Sequence, residues 1–192
     1  MKKRRQSRKR KRISKILDRY VTLDFEKSTP SPYTVCSVGI AVVEHGKITH
    51  RFYSLIKPPT NDMNPYSQEA HGLEYDYMEF APDFCEIWKK IDKIIGNSPV
   101  VGHHVCIERA CIESLNEIYG TDYHYDFIDT QIPSKEMGYR QRYNLEVVTE
   151  GIGYDLSHHH NPLEDALACR SILEEAIRRR IKIKLWKKRT DR

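Results

Sequence analysis

Apolar positions change their period several times along the chain, and each change marks an element. Residues 19–25 and 34–43 are dense in apolar and β-branched residues, the second stretch almost without interruption, as in buried strands. Residues 47–56 alternate instead, directly after the turn residues His45 and Gly46, so the second and third strands form a hairpin. A Pro- and Asn-rich stretch read as loop follows. Phe84, Ile87, Trp88, Ile91 and Ile95 then recur at helical spacing, with Gly96 placed to end the helix. A short buried strand is predicted at 99–102. A second amphipathic helix has Ile107, Ala110, Cys111, Ser114, Leu115 and Ile118 as its apolar stripe and ends before Gly120. Residues 126–130 read as a brief strand, 144–151 as a short helix and 162–180 as a final helix. Three strands followed by alternating helix and strand predict an α/β fold. Its central mixed sheet has five strands, three antiparallel then two parallel, flanked by helices.

Composition bounds this picture. A chain of 192 residues, 39% apolar and 31% charged, fits one soluble domain, assigned to 17–180, and no apolar run reaches the ~20 residues of a membrane span. Five cysteines without a CxxC pair read as reduced thiols. With no apolar leader, they place the protein in the cytoplasm or nucleus, and we take the cytoplasm. Charge is partitioned sharply. Residues 1–16 carry ten bases and no acid, 178–192 carry nine bases and one acid, and 17–177 carry 13 bases and 26 acids. Basic ends on an acidic body imply a polyanionic partner held in a salt-sensitive way. The leader, 1–16, reads as disordered and would also serve as a solubilising or nuclear-localisation segment. Residues 181–192 read as a basic tail, in which the alternation of Ile181, Ile183 and Leu185 with lysines leaves an edge strand open.

Candidate chemistry lies at three points. Asp24 and Glu26 fall on one face of the first strand and Phe25 on the other, because side chains alternate. Two neighbouring carboxylates suit a hard cation such as Mg²⁺, which takes oxygen ligands and retains water. Farther on, Asn161 is a predicted N-cap, Pro162 the first helical residue and Glu164 the capping-box acid. Asp165 then sits in the first turn and His160 just outside it. Imidazole with an ordinary pKa of about 6.5 can accept a proton from water near neutral pH. His158 and His159 are read as loop residues flanking His160. Glu108, one position past Ile107, lies at the edge of its helix's apolar stripe, within reach of a cleft.

In this order and spacing the pieces resemble the DEDDh family of 3′-to-5′ exonucleases, which includes polymerase proofreading subunits, ribonuclease T and oligoribonuclease. The resemblance spans about residues 18–178. It rests on Leu23-Asp24-Phe25-Glu26, on the segment 100–108 ending in Glu108, and on 144–166 with His160 and Asp165; the segment from His71 to Asp76 is similar as well. It implies a ribonuclease H-like fold that hydrolyses terminal phosphodiesters of DNA or RNA, most readily at single-stranded 3′ ends, to nucleoside 5′-monophosphates. Two Mg²⁺ ions, with Mn²⁺ as substitute, would stand about 3.5 to 4 Å apart. Asp24 would bridge them, Glu26 and Asp165 would complete one site, Glu108 would serve the other, and His160 would take the proton of the attacking water. Lys27, Ser28 and His71 would contact substrate. The chain departs from the family pattern in having His104 and Glu108 where Asn and Asp are usual. Two alternatives follow: a catalytically silent nucleic-acid-binding domain, and a polymerase-associated proofreading subunit docked through the C-terminal segment 181–186.

Overall fold

The computed structural model describes residues 17–187. The basic leader and the last five residues lie outside the described residues. The chain forms β1 (Arg19–Lys27), β2 (Val35–Glu44), β3 (Lys47–Leu55), α1 (Pro65–His71), α2 (Tyr75–Glu79), α3 (Phe84–Ile95), β4 (Val100–Gly102), α4 (Cys106–Tyr119), β5 (Phe127–Asp129), α5 (Gln131–Glu136), α6 (Leu145–Ile152), α7 (Pro162–Arg178) and β6 (Leu185–Trp186). The sheet order is β3-β2-β1-β4-β5-β6. β1, β2 and β3 are antiparallel neighbours, β4 joins β1 and β5 in parallel, and β6 runs antiparallel to β5.

The mixed α/β sheet is therefore as expected, with six strands rather than five. The sixth comes from the alternating segment near the C-terminus: Leu185 pairs with Ile128 and Trp186 with Phe127, while Ile183 is buried beside Val101 and Ile128. Ile183 thus enters the chain's own core, with Ile181, Leu185 and Trp186 packed partly buried against it. α1, α2 and α5 lie in stretches without helical periodicity. With five to seven residues each they are too short to show one, although Asn64-Pro65 does carry a start signal, and Asn64 Oδ1 accepts from the backbone N–H groups of Tyr66 and Ser67.

Alternation along β1 separates two layers. Val21, Leu23 and Phe25, with Val38, Ile40 and Val42 of β2, face the core under α3 and α4, where Phe84 stacks on Trp88 with ring centroids 5.0 Å apart. Asp24 and Glu26 face the other side, which α7 covers. In register with them on β2 are Gly39, opposite Asp24, and Ser37, opposite Glu26. A Cβ on Gly39 would lie 2.1 Å from the Leu163 backbone nitrogen and 2.2 Å from the Pro162 carbonyl carbon. Only a residue without a side chain lets the first turn of α7 rest on the sheet here, and that approach brings Asp165 to Asp24.

Candidate active site

The acids collect at the C-terminal ends of the parallel strands β1, β4 and β5, where open α/β sheets form their crevices. Asp24, Glu26 and Asp165 each offer an oxygen, all within 4.8 Å of one another. Asp165 is buried in the first turn of α7, whose start is fixed as expected. Asn161 Oδ1 accepts from Leu163 N at 3.1 Å and Glu164 N at 3.5 Å, and Pro162 takes the first position. The capping box is only half used, since the Asn161 N–H donates to the His158 carbonyl at 3.1 Å. The helix N-terminus favours negative charge at Asp165. Asp24 is pushed well above the usual carboxylate range by burial and by the charges of Glu108, Asp165 and Glu26.

Glu108 is more deeply placed than the stripe reading implied. It is 4% exposed, whereas Ile107 is 40% and Ile118 49% exposed. The buried face of α4 is Glu108, Cys111, Ile112, Leu115 and Asn116, about one residue in phase from the expected stripe; Cys111 and Leu115 belong to both. The carboxylate thus points inward over Gly102, whose hypothetical Cβ would lie 3.6 Å from its Cδ. Glu108 Oε2 is buried without a hydrogen-bond partner, and desolvation pushes its pKa up to about 8. At the turn before this helix, His104 takes the left-handed conformation, φ 71°, which His tolerates better than most residues. Its N–H donates to Asp129 Oδ1 at 3.0 Å, so a strand-end carboxylate ties the turn at the position where the family usually has Asn.

His160 also has a positive φ, 69°, and its N–H donates to Asp165 Oδ2 at 2.9 Å. Its Nδ1 lies 3.5 Å from Glu26 Oε1, and this carboxylate raises the imidazole pKa despite partial burial. The neighbouring His159 is no bystander: its Nδ1 sits 3.1 and 3.2 Å from the two Asp165 oxygens. Around Glu26, His71 ends α1. It accepts from Leu73 N at Nδ1, 3.0 Å, and presents Nε2 3.9 Å from Cys36 Sγ. Burial lowers its pKa, and Glu26 opposes that shift. Cys36 is the extra residue of a bulge after Glu26, where Lys27 pairs with Val35, a device that re-aims side chains. Ser28 is buried with its hydroxyl unpartnered, and Lys27 Nζ donates to the Pro30 carbonyl at 3.0 Å.

The structure thus gathers Asp24, Glu26, Asp165 and His160, with Glu108 buried close enough to Asp24 to raise its pKa, and puts His71 close enough to Glu26 to feel its charge. Reading the sequence missed Gly39, Asp129 and His159. Asp129 carried the signal of an acid at a strand's C-terminal end, and His159 that of adjacency to His160; Gly39 carried none.

A donor set of crowded, partly buried carboxylates, with the Glu108 oxygen orphaned beside them, is of a kind that fits a hard divalent cation. Matches to known proteins agree. Residues 21–173 match the exonuclease family model. The PolC-type DNA polymerase III of Thermotoga petrophila is 25% identical over 150 residues, 77% of this chain and 11% of the polymerase. That of Clostridium perfringens is 25% identical over 162 residues, 82% and 11% of the two chains. The chain thus spans about a ninth of these relatives' length. Two solved structures share the fold. A 3′-exonuclease described in 3′-end-specific recognition of the histone mRNA stem-loop has 15% identity, TM-score 0.72 and coverage of 90% and 91%. Exonuclease X, in complex with 5′-overhanging duplex DNA, has 16% identity, TM-score 0.69 and coverage of 83% and 92%. With most of its length inside that family model and its acids gathered on the matching sheet, the chain belongs to the exonuclease family.

Proposed function

We propose that this protein is a metal-dependent 3′-to-5′ exonuclease that hydrolyses terminal phosphodiesters and releases nucleoside 5′-monophosphates. The observation that carries this reading is the convergence of Asp24, Glu26 and Asp165 within 4.8 Å beside His160, in a chain of the exonuclease family. Asp24, Glu26, Asp165 and Glu108 would hold two Mg²⁺ or Mn²⁺ ions. Bound there, such ions supply phosphate-charge neutralisation and acidify water.

The chain's own residues do the rest. His160 takes the proton of the attacking water at its imidazole, and Glu26 beside Nδ1 stabilises the imidazolium that results. The imidazole is 40% exposed at its side chain, so it can meet an incoming phosphodiester, while its backbone is pinned to Asp165. His71, beside Glu26, together with Lys27 and Ser28, would contact the terminal nucleotide with its 3′-hydroxyl. The ordinary substrate would be a single-stranded 3′ end, and the basic flanks would offset a body that repels phosphate. The PolC-type relatives favour one further setting, removal of mispaired 3′ ends beside a polymerase. The five unbridged cysteines fit a reducing compartment such as the cytoplasm.

The test is a 5′-labelled single strand, DNA and RNA in parallel, incubated with Mg²⁺ or Mn²⁺. A ladder shortening from the 3′ end, erased by EDTA and by Asp24→Asn, is expected. No product from either nucleic acid with either metal would leave a silent binding domain instead.

A further inference from the structure

His159 is used by neither the family resemblance nor the chemistry above, yet one ring touches two of the groups that matter. Its Nδ1 lies 3.1 Å from Asp165 Oδ1 and 3.2 Å from Oδ2, so a proton on that nitrogen is shared by both oxygens. The ring also stacks on His160, centroids 3.9 Å apart and planes inclined by 19°. Consecutive side chains of an extended segment point to opposite sides. Here the left-handed backbone at His160 turns the two onto the same side. The His159 side chain is partly exposed at its outer edge, and Asp165 is buried beneath it.

We propose that His159 is a positioning residue: its Nδ1–H holds the Asp165 carboxylate in the orientation that receives a divalent cation, and its ring backs the His160 imidazole. This rests on the metal-dependent reading above. A carboxylate with one fixed donor can still turn about its last torsion, and ordering it on metal binding costs conformational freedom. The His160 N–H alone leaves that freedom. The second donor removes it, as partners behind a metal-ligating carboxylate do, and their loss typically costs about 10–100-fold in metal affinity or activity.

The test uses the full chain, stripped with EDTA and titrated with MnCl₂ in a calorimeter without nucleic acid. His159→Phe keeps a ring to stack but has no N–H, and is expected to weaken Mn²⁺ binding about tenfold or more. His159→Asn places an amide N–H near the Nδ1 position and is expected to restore binding to within about threefold. At saturating Mn²⁺, His159→Phe should turn over faster than His159→Ala, because only the first retains the stack. Binding by His159→Phe within twofold of the unaltered protein overturns the inference. So does an Asn variant as weak as the Phe variant, which would mark a merely structural role. If the unaltered protein itself binds no Mn²⁺, the metal-dependent reading fails, a result distinct from either.

Discussion

The two faces of β1 are built on opposite terms. On the side of Val21, Leu23 and Phe25, apolar groups close over one another and the central polar groups are paired: Trp88 Nε1–H donates to Tyr125 Oη at 3.0 Å, and Tyr125 in turn donates to Asp92 Oδ1 at 2.7 Å. On the side of Asp24 and Glu26, like charges crowd, and nearby Glu108 Oε2 is buried without a partner. A buried polar group without a partner costs about 1–3 kcal/mol. The difference teaches that alternate residues of one strand serve opposed ends: one face stabilises the fold, and the other gathers like charges at a cost to it.

The sharpest way to break that contrast is to change one residue on each face. Asp24→Asn should lower the Mg²⁺-dependent rate by about a thousandfold, the scale of losing one preorganised electrostatic group. It should also raise the thermal midpoint of the metal-free protein, because it relieves repulsion among the acids. Trp88→Ala, on the other face, should cost about 3–5 kcal/mol in urea unfolding and leave the rate per folded molecule nearly unchanged. Equal loss of rate from both would mean that the faces are not separable. Next in size, Gly39→Ala forces the first turn of α7 away from β2 by more than an ångström. A displacement of that order can cost about 100-fold in rate. Retention of full activity would show that α7 adjusts without moving Asp165.

A smaller effect concerns pH. Glu108 has an ordinary value of 4.5 and is raised to about 8 in the fold, and Asp24 is raised in the same direction. Between those limits the native state holds protons that the unfolded chain has released. The metal-free protein therefore loses stability as pH rises from about 5 to 8, by a few kcal/mol. Partly buried His103 and His71, both lowered by desolvation, act oppositely, their contribution growing as pH rises toward about 6.5, whereas His160, raised by Glu26, adds to the decline. Glu108→Gln should flatten the decline and raise the midpoint at pH 8. Added Mn²⁺ should do the same for the unaltered protein. A metal-free midpoint that climbs from pH 5 to 8 would contradict the assigned burial of Glu108.

How much of this was legible in the sequence depended on how far each inference had to reach. Period and turn residues located β1, β2, β3, α3 and α7 because those elements are long and their patterns local. The placement of Asp24 beside Glu26 followed from alternation alone, and the start of α7 from Asn161 and Pro162. The phase of α4 did not follow, because Ile107 and Ile118 mimic a stripe that tertiary packing rotates in favour of Glu108 and Ile112. Nor could the contact between Gly39 and Leu163, 124 residues apart, be read from either segment, since an absent side chain leaves no pattern. His159 was set aside because three adjacent histidines look equivalent until the left-handed turn at His160 distinguishes them.

The smallest expected effect is that of Glu108→Asp. Shortening the side chain withdraws its carboxylate by about one carbon–carbon bond, and Mg²⁺ tolerates misplaced ligands poorly. Two features limit the damage. Gly102 beneath the carboxylate contributes no side chain of its own, and the turn before α4 is tied independently of Glu108, by the His104 N–H to Asp129 Oδ1. The shorter acid keeps the charge and the burial that make this position attract a cation. We therefore expect the rate at saturating Mg²⁺ to stay within about tenfold, or to rise, and the change to appear mainly in the Mg²⁺ concentration required. Loss as complete as that of Glu108→Gln would mean that the methylene itself sets the geometry, and that α4 and β4 hold the longer side chain as rigidly as α7 holds Asp165.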